Sequence, residues 1–171
     1  MGELDEAWAA ALSEAEQRAR LAGRKDVVEY LSLKNSNDLI RKAGVDWLVT
    51  EFTNQAGQAN RAGASIQVST KEGHRFPMGT STMVGHLLTL TYGVRTLYVE
   101  AGWPRAPRDG FVRGGGLAFA NIRHLGIRTA GQELLLRKTS KGAPVWKSLS
   151  SRRPHLHEAD IRHHIAILLD K

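Results

Sequence analysis

Cysteine is absent from the 171 residues. Its absence excludes disulfide scaffolds, thiolate metal centres and cysteine nucleophiles, and it fits a reducing, cytoplasmic setting. No apolar run approaches the roughly 18 residues that a membrane span requires, and the start of the chain, rich in Glu, Asp and Ala, does not read as a signal peptide. No membrane partner is therefore expected. Catalytic signatures are missing too. There is no Gly-x-x-x-x-Gly-Lys-Ser/Thr loop, no Gly-x-Ser-x-Gly elbow and no His-Glu-x-x-His pair. Gly114-Gly115-Gly116 lacks the spacing of a dinucleotide fingerprint, and Gly79-Thr80-Ser81-Thr82 reads as a polar turn. No motif calls for a cofactor, and a non-enzymatic role is expected.

What is present is a globular balance, 42% hydrophobic and 24% charged, in a length suited to one domain over residues 1–171. The formal net charge is +7 and it is unevenly placed. Residues 1–60 hold ten acids and seven bases, whereas residues 61–171 hold seven acids and seventeen bases, together with all 7 histidines. A basic region attracts nucleic acid or other polyanions. The plainer alternative is a solvated surface with no partner.

The hydrophobic period divides the chain in the same place. Leu4, Trp8, Ala11, Leu12, Ala15 and Ala19 predict an amphipathic helix over residues 3–22, closed by Gly23. Asp26 and Glu29 suggest a capping box for a second, short helix, and Asn35-Ser36-Asn37 should break it. A third helix carries Leu39, Ile40, Ala43, Trp47, Leu48 and Phe52, and a linker follows at residues 60–63. Beyond Gly63 the period becomes two. Ile66 and Val68 precede a predicted turn at Lys71-Glu72-Gly73. Strands are expected at 84–92, 94–101, 117–122 (with a parity slip between Phe119 and Ile122), 134–137 and 145–149, with a loop at 102–110 and a turn at 138–142. A closing helix begins at His157. Short turns imply antiparallel neighbours. The expectation is an α+β fold: helical layer 1–60, a meander sheet of five or six strands over 64–150, and a helix over 157–171, with the helices packed on the sheet.

Three constellations carry possible chemistry. Trp103, Arg105, Arg108 and Arg113 form an arginine-rich loop stiffened by Pro104 and Pro107. Guanidinium groups bind phosphate bidentately, and an indole offers a stacking surface. With Arg123, Arg128, Arg137 and Lys138 they form a candidate anion-binding set. Asp109 is the expected local partner of Arg108 or Arg113. Second, His157, Asp160 and His164 fall at i, i+3 and i+7 of the last helix, a candidate metal site. His157 and His164 would stand about 10 Å apart along the axis, which strains a shared ion. Third, His86 and His124 are candidate residues of a cavity between helices and sheet.

The leading expectation is a domain that binds an anionic partner, nucleic acid first, through its basic sheet layer and arginine loop. The alternatives are a small-molecule-binding protein or hydrolytic enzyme built on the histidines, and a homo-oligomeric module in which acidic helices meet the basic layer of another copy.

Overall fold

A computed structural model describes residues 2–150 and 155–170. Met1 and Lys171, the ends of the expected unit, lie outside the described residues. Helix α1 spans Glu3–Leu21 and helix α2 spans Lys25–Arg61. Glu3, Asp5 and Glu6 in the first turn of α1, and Arg18 and Arg20 in its last, complement the helix dipole. The expected break at Asn35-Ser36-Asn37 does not occur; α2 runs through it for 37 residues, about 55 Å. Polar residues end a helix when their side chains turn back on their own backbone. Here the neighbouring Asp38 turns outward to α1 instead. It accepts from Trp8 Nε1 (2.8 Å) and Arg41 Nη1 (2.6 Å), and the Lys34 ammonium lies 4.8 Å from the Trp8 ring centroid. The packed partner helix carries α2 across its weak stretch.

Six strands follow: β1 (Gln67–Met78), β2 (Ser81–Tyr92), β3 (Arg95–Trp103), β4 (Ala118–His124), β5 (Ile127–Lys138) and β6 (Pro144–Ser148). They pair antiparallel in the order of the sequence. Helix α3, Glu158–Leu168, closes the fold. The architecture is the expected α+β meander. Three local expectations are corrected. Lys71-Glu72-Gly73 is no turn; Gly73 takes φ 67° as an extra residue inside β1, between the pairs Glu72–His86 and His74–Gly85. Strand β5 begins at Ile127, seven residues before the expected start, because Leu125-Gly126 makes a tight hairpin from β4. The parity slip falls between Ile122 and His124, where β5 sets residues 128–131 against Arg123 alone.

One face of the sheet carries the core. Val45, Leu48 and Phe52 of α2 and Ile161, Ile165 and Leu168 of α3 pack on Leu88, Leu97, Val99, Ile122, Leu134 and Leu136. Each fully buried side chain of this kind contributes about 2 kcal/mol. Trp146 Nε1 donates to the Gly44 carbonyl (2.9 Å), and a Cβ on Gly44 would meet Leu136 at 2.6 Å, so α2 lies close against β5 and β6.

The opposite face is not covered by a helix. It curls. Phe76 of β1 and Phe119 of β4 have ring centroids 6.2 Å apart. Three strand spacings on a flat sheet would separate those strands by about 14 Å. Between them stand Gly85 and Gly102, a directly opposed pair on β2 and β3. The two rings lean over this gap and, with Met78, Met83, Val112 and Leu135, form a second apolar cluster.

A Cβ at Gly85 would lie 2.0 Å from the Ala101 carbonyl oxygen, and one at Gly102 would lie 2.4 Å from that of Val84. These are backbone contacts that no side-chain rotation relieves. Gly85→Ala is therefore expected to lower the unfolding free energy by roughly 2 kcal/mol or more, read as a lower urea midpoint. An unchanged midpoint would contradict the close approach of β2 and β3.

Candidate nucleic-acid interface

The connection from β3 to β4, residues 104–117, crosses one end of the exposed face and is tied down at several points. Asp109 is buried. Its Oδ1 accepts from Arg75 Nη2 (2.8 Å), and its Oδ2 accepts the backbone N–H groups of Arg105 (3.2 Å) and Ala106 (3.1 Å). Burial alone would raise the Asp109 carboxyl, but the Arg105 N–H, the Arg75 guanidinium and the Ala106 N–H together hold it below its ordinary value. Gly110 then takes φ 86°. Val112 turns into the second apolar cluster, the Phe111 N–H donates to Ser81 Oγ (3.4 Å), and Arg137 Nη2 donates to the Gly114 carbonyl (2.6 Å). Between these anchors Phe111 is held 72% exposed, with Arg108 and Arg113 exposed on either side.

The open face continues the surface. Rows of residues opposite the core parity place Tyr98 beside Arg123 and Glu100 beside Asn121. Arg123 lies over the Tyr98 ring at 4.9 Å and donates to Glu100 Oε1 at 2.9 Å. His74 Nε2 reaches the same oxygen at 3.2 Å and stacks on Phe76. Lys147 stands opposite Leu135 on this face.

The expected anion-binding set is thus divided. Trp103 does not serve as a stacking surface: it is buried among the helix-facing residues, and the Arg105 guanidinium covers it at 3.6 Å. Arg105 is itself engaged by Asp5 of α1 (2.7 Å). The expected partnership of Asp109 with Arg108 or Arg113 is replaced by Arg75, which is brought near by the β1–β2 hairpin. Arg108, Arg113, Arg128 and Lys138 form no ion pair among the described residues. Arg128 lies apart from the loop, at the other end of β4. Phe111 escaped the sequence reading. Its signal was the Gly110-Phe111-Val112 triplet, in which adjacent apolar residues after a glycine must point to opposite sides.

The histidines also separate. His86 borders a recess of about 20 Å³ beside Asp5 and Arg105, room for little more than one water. His157 sits at the start of α3 with its side chain exposed, and its backbone N–H donates to Asp160 Oδ2 (2.8 Å). His164 turns inward and uses both ring nitrogens, Nδ1 toward His124 Nε2 (2.9 Å) and Nε2 toward Gln132 Oε1 (3.0 Å). The expected trio of His157, Asp160 and His164 does not converge, and among the described residues no group of three or more His, Asp or Glu side chains is placed to hold an ion. No described helix is long and apolar enough to cross a membrane.

Comparison with family models, curated proteins and solved structures finds no match for this chain.

Burial, reinforced by the charges of His124 and His163, pulls His164 from 6.5 down to about 4 against the opposing pull of Asp160. His124 is lowered by burial and by His163. Between pH 6.5 and 4 the unfolded chain therefore binds more protons at position 164 than the folded one, so stability falls as the pH is lowered through that window. The expected loss is roughly 3 kcal/mol, read as a falling denaturant midpoint from pH 7 to pH 4. His164→Gln should flatten this dependence; an equally steep profile in the variant would refute it.

Proposed function

We propose that the chain binds single-stranded nucleic acid through the loop at residues 104–117 and the adjoining open face of the sheet. The observation that carries this reading is Phe111, an aromatic side chain kept in solvent by a loop locked on both sides of it. Exposing a large apolar ring forgoes its burial energy, and fixing the loop that presents it removes the ordering cost of a later contact. An unpaired base has a π-face to stack on such a ring, while duplex bases are already stacked. Arg108 and Arg113, exposed three residues before and two residues after Phe111, supply cations for the adjoining phosphates, and guanidinium groups pair with phosphate oxygens bidentately. The curled face beyond it, with Arg123 over Tyr98, and Arg137 and Lys147 nearby, continues a basic track. Stacking and phosphate contacts carry little base information, so recognition tolerant of sequence is expected.

The test is fluorescence anisotropy of a labelled oligouridylate across a salt series. Affinity should drop steeply between about 50 and 200 mM salt. Phe111→Ala should weaken binding by about tenfold or more at fixed salt, since stacking on one base contributes about 1–3 kcal/mol. Arg108→Ala and Arg113→Ala should each reduce the slope of log affinity against log salt by about 0.7. Because all three side chains are exposed, the variants should keep the parent's thermal midpoint. No binding at low salt, or a Phe111→Ala affinity equal to the parent's, would overturn the proposal.

A further inference from the structure

Every buried residue of α2 lies between Gly44 and Ala56, the half that packs on the sheet. The half before it packs on α1 through Trp8, which meets Asp38 and Lys34. Its outer side lacks charge. From Tyr30 to Val45 the exposed residues are Tyr30, Ser32, Leu33, Ser36, Leu39 and Ala43. The charged residues of that stretch, Lys34, Asp38, Arg41 and Lys42, are half-buried, and the first three turn to α1 or to the Leu117 carbonyl. A solvated helix face normally carries its charges. Depletion of charge with retention of Tyr, Trp and Leu is the composition of an interface core.

The stripe selects its own partner. Glu29, Leu33, Ser36, Ile40, Ala43 and Trp47 recur at alternate steps of four and three, a heptad seam on one side of the helix. Large side chains at Leu33, Ile40 and Trp47 alternate with small ones at Ser36 and Ala43. A parallel copy would set large against large. An antiparallel copy, turned about a two-fold axis near residue 38, sets Leu33 against Ala43, Ile40 against Ser36, and Trp47 against Glu29, whose carboxylate can accept from the indole Nε1. The flanking positions match as well. Leu39 meets its own equivalent across the axis, and Tyr30 meets Gly44. Beside Gly44 an apolar recess of about 330 Å³ opens between Trp47, Pro144, Val145 and Leu156. The stripe thus holds a recess at one end and, about 20 Å away, a ring to fill it at the other, and a two-fold-related copy satisfies both ends at once. Tyr30, Leu33, Leu39 and Trp47 each leave roughly 100 Å² open to water, on the order of 800 Å² over two copies. With their neighbours this reaches the lower range of specific interfaces, about 1,200 Å².

We propose that a second copy of this chain covers the face, the two α2 helices pairing antiparallel about residue 38 in a weak homodimer. The contact uses no residue of the Phe111 loop and holds whether or not nucleic acid binds.

Sedimentation velocity of the whole chain over about 5 to 500 µM should show the mass rising from 18.8 kDa toward twice that value. Leu33→Asp, a change at an exposed position, should weaken association by about tenfold or more. The register is read by disulfide formation, which the absence of native cysteine makes specific. In an oxidised mixture, Leu33→Cys and Ala43→Cys chains should couple to each other faster than either couples to itself. A monomer at every concentration, association unaltered by Leu33→Asp, or mixed coupling no faster than self-coupling would each overturn the proposal.

Discussion

The carboxylate of Asp109 is the fixed point of the exposed half of this molecule. It is buried, and Arg75 and two backbone N–H groups of the preceding turn converge on it. A carboxylate buried without such partners would be strongly unfavourable, so the loop has little freedom to rearrange around it. Everything downstream inherits that rigidity. Gly110 reverses the chain at a positive φ, Val112 enters the cluster under the loop, and Phe111 has only solvent left to face. The same carboxylate binds Arg75 of β1 to the loop, so the loop, the β1–β2 hairpin and the curled end of the sheet form one body.

Curvature shapes the open face. Because Gly85 and Gly102 carry no side chains, β2 and β3 approach closely, and Phe76 and Phe119 close over them. The surface that results is concave at the loop end and split at the other, where β5 departs from β4. The two ends have different chemistry. At the loop end, exposed Arg108 and Arg113 form no ion pair among the described residues, and Asp109 is committed to Arg75. At the split end, Glu100 and Glu133 offset the arginines, and a neutral histidine pair lies beneath. The proposed polyanion track belongs to the first end.

Much of the architecture was legible in the sequence. Alternation at Leu88 and Leu90, and short glycine turns such as Gly93 and Gly142, specify antiparallel neighbours in chain order, and the stripe of Ile161, Ile165 and Leu168 specifies α3. What failed were readings of single polar stretches in isolation. Asn35-Ser36-Asn37 is helical because α1 packs alongside, and Lys71-Glu72-Gly73 stays in β1 because β2 pairs on both sides of the bulge. The site was half legible. The loop and its arginines stand out by composition, but local composition also singles out Trp103, whereas Leu97, Val99, Ala101 and Trp103 share one parity that points it to the core. Arg75 with Asp109 and His124 with His164 are separated by 34 and 40 residues, beyond anything local spacing reveals.

Direct mapping of the bound strand is the most decisive measurement. In a titration of the isotopically labelled chain with a short oligouridylate, resonances of Arg108, Phe111 and Arg113 should move first, followed by those of Tyr98 and Arg123 on the open face, while α1 and α3 stay unperturbed. Shifts concentrated on the helices, or none at low ionic strength, would contradict recognition through the Asp109-locked loop.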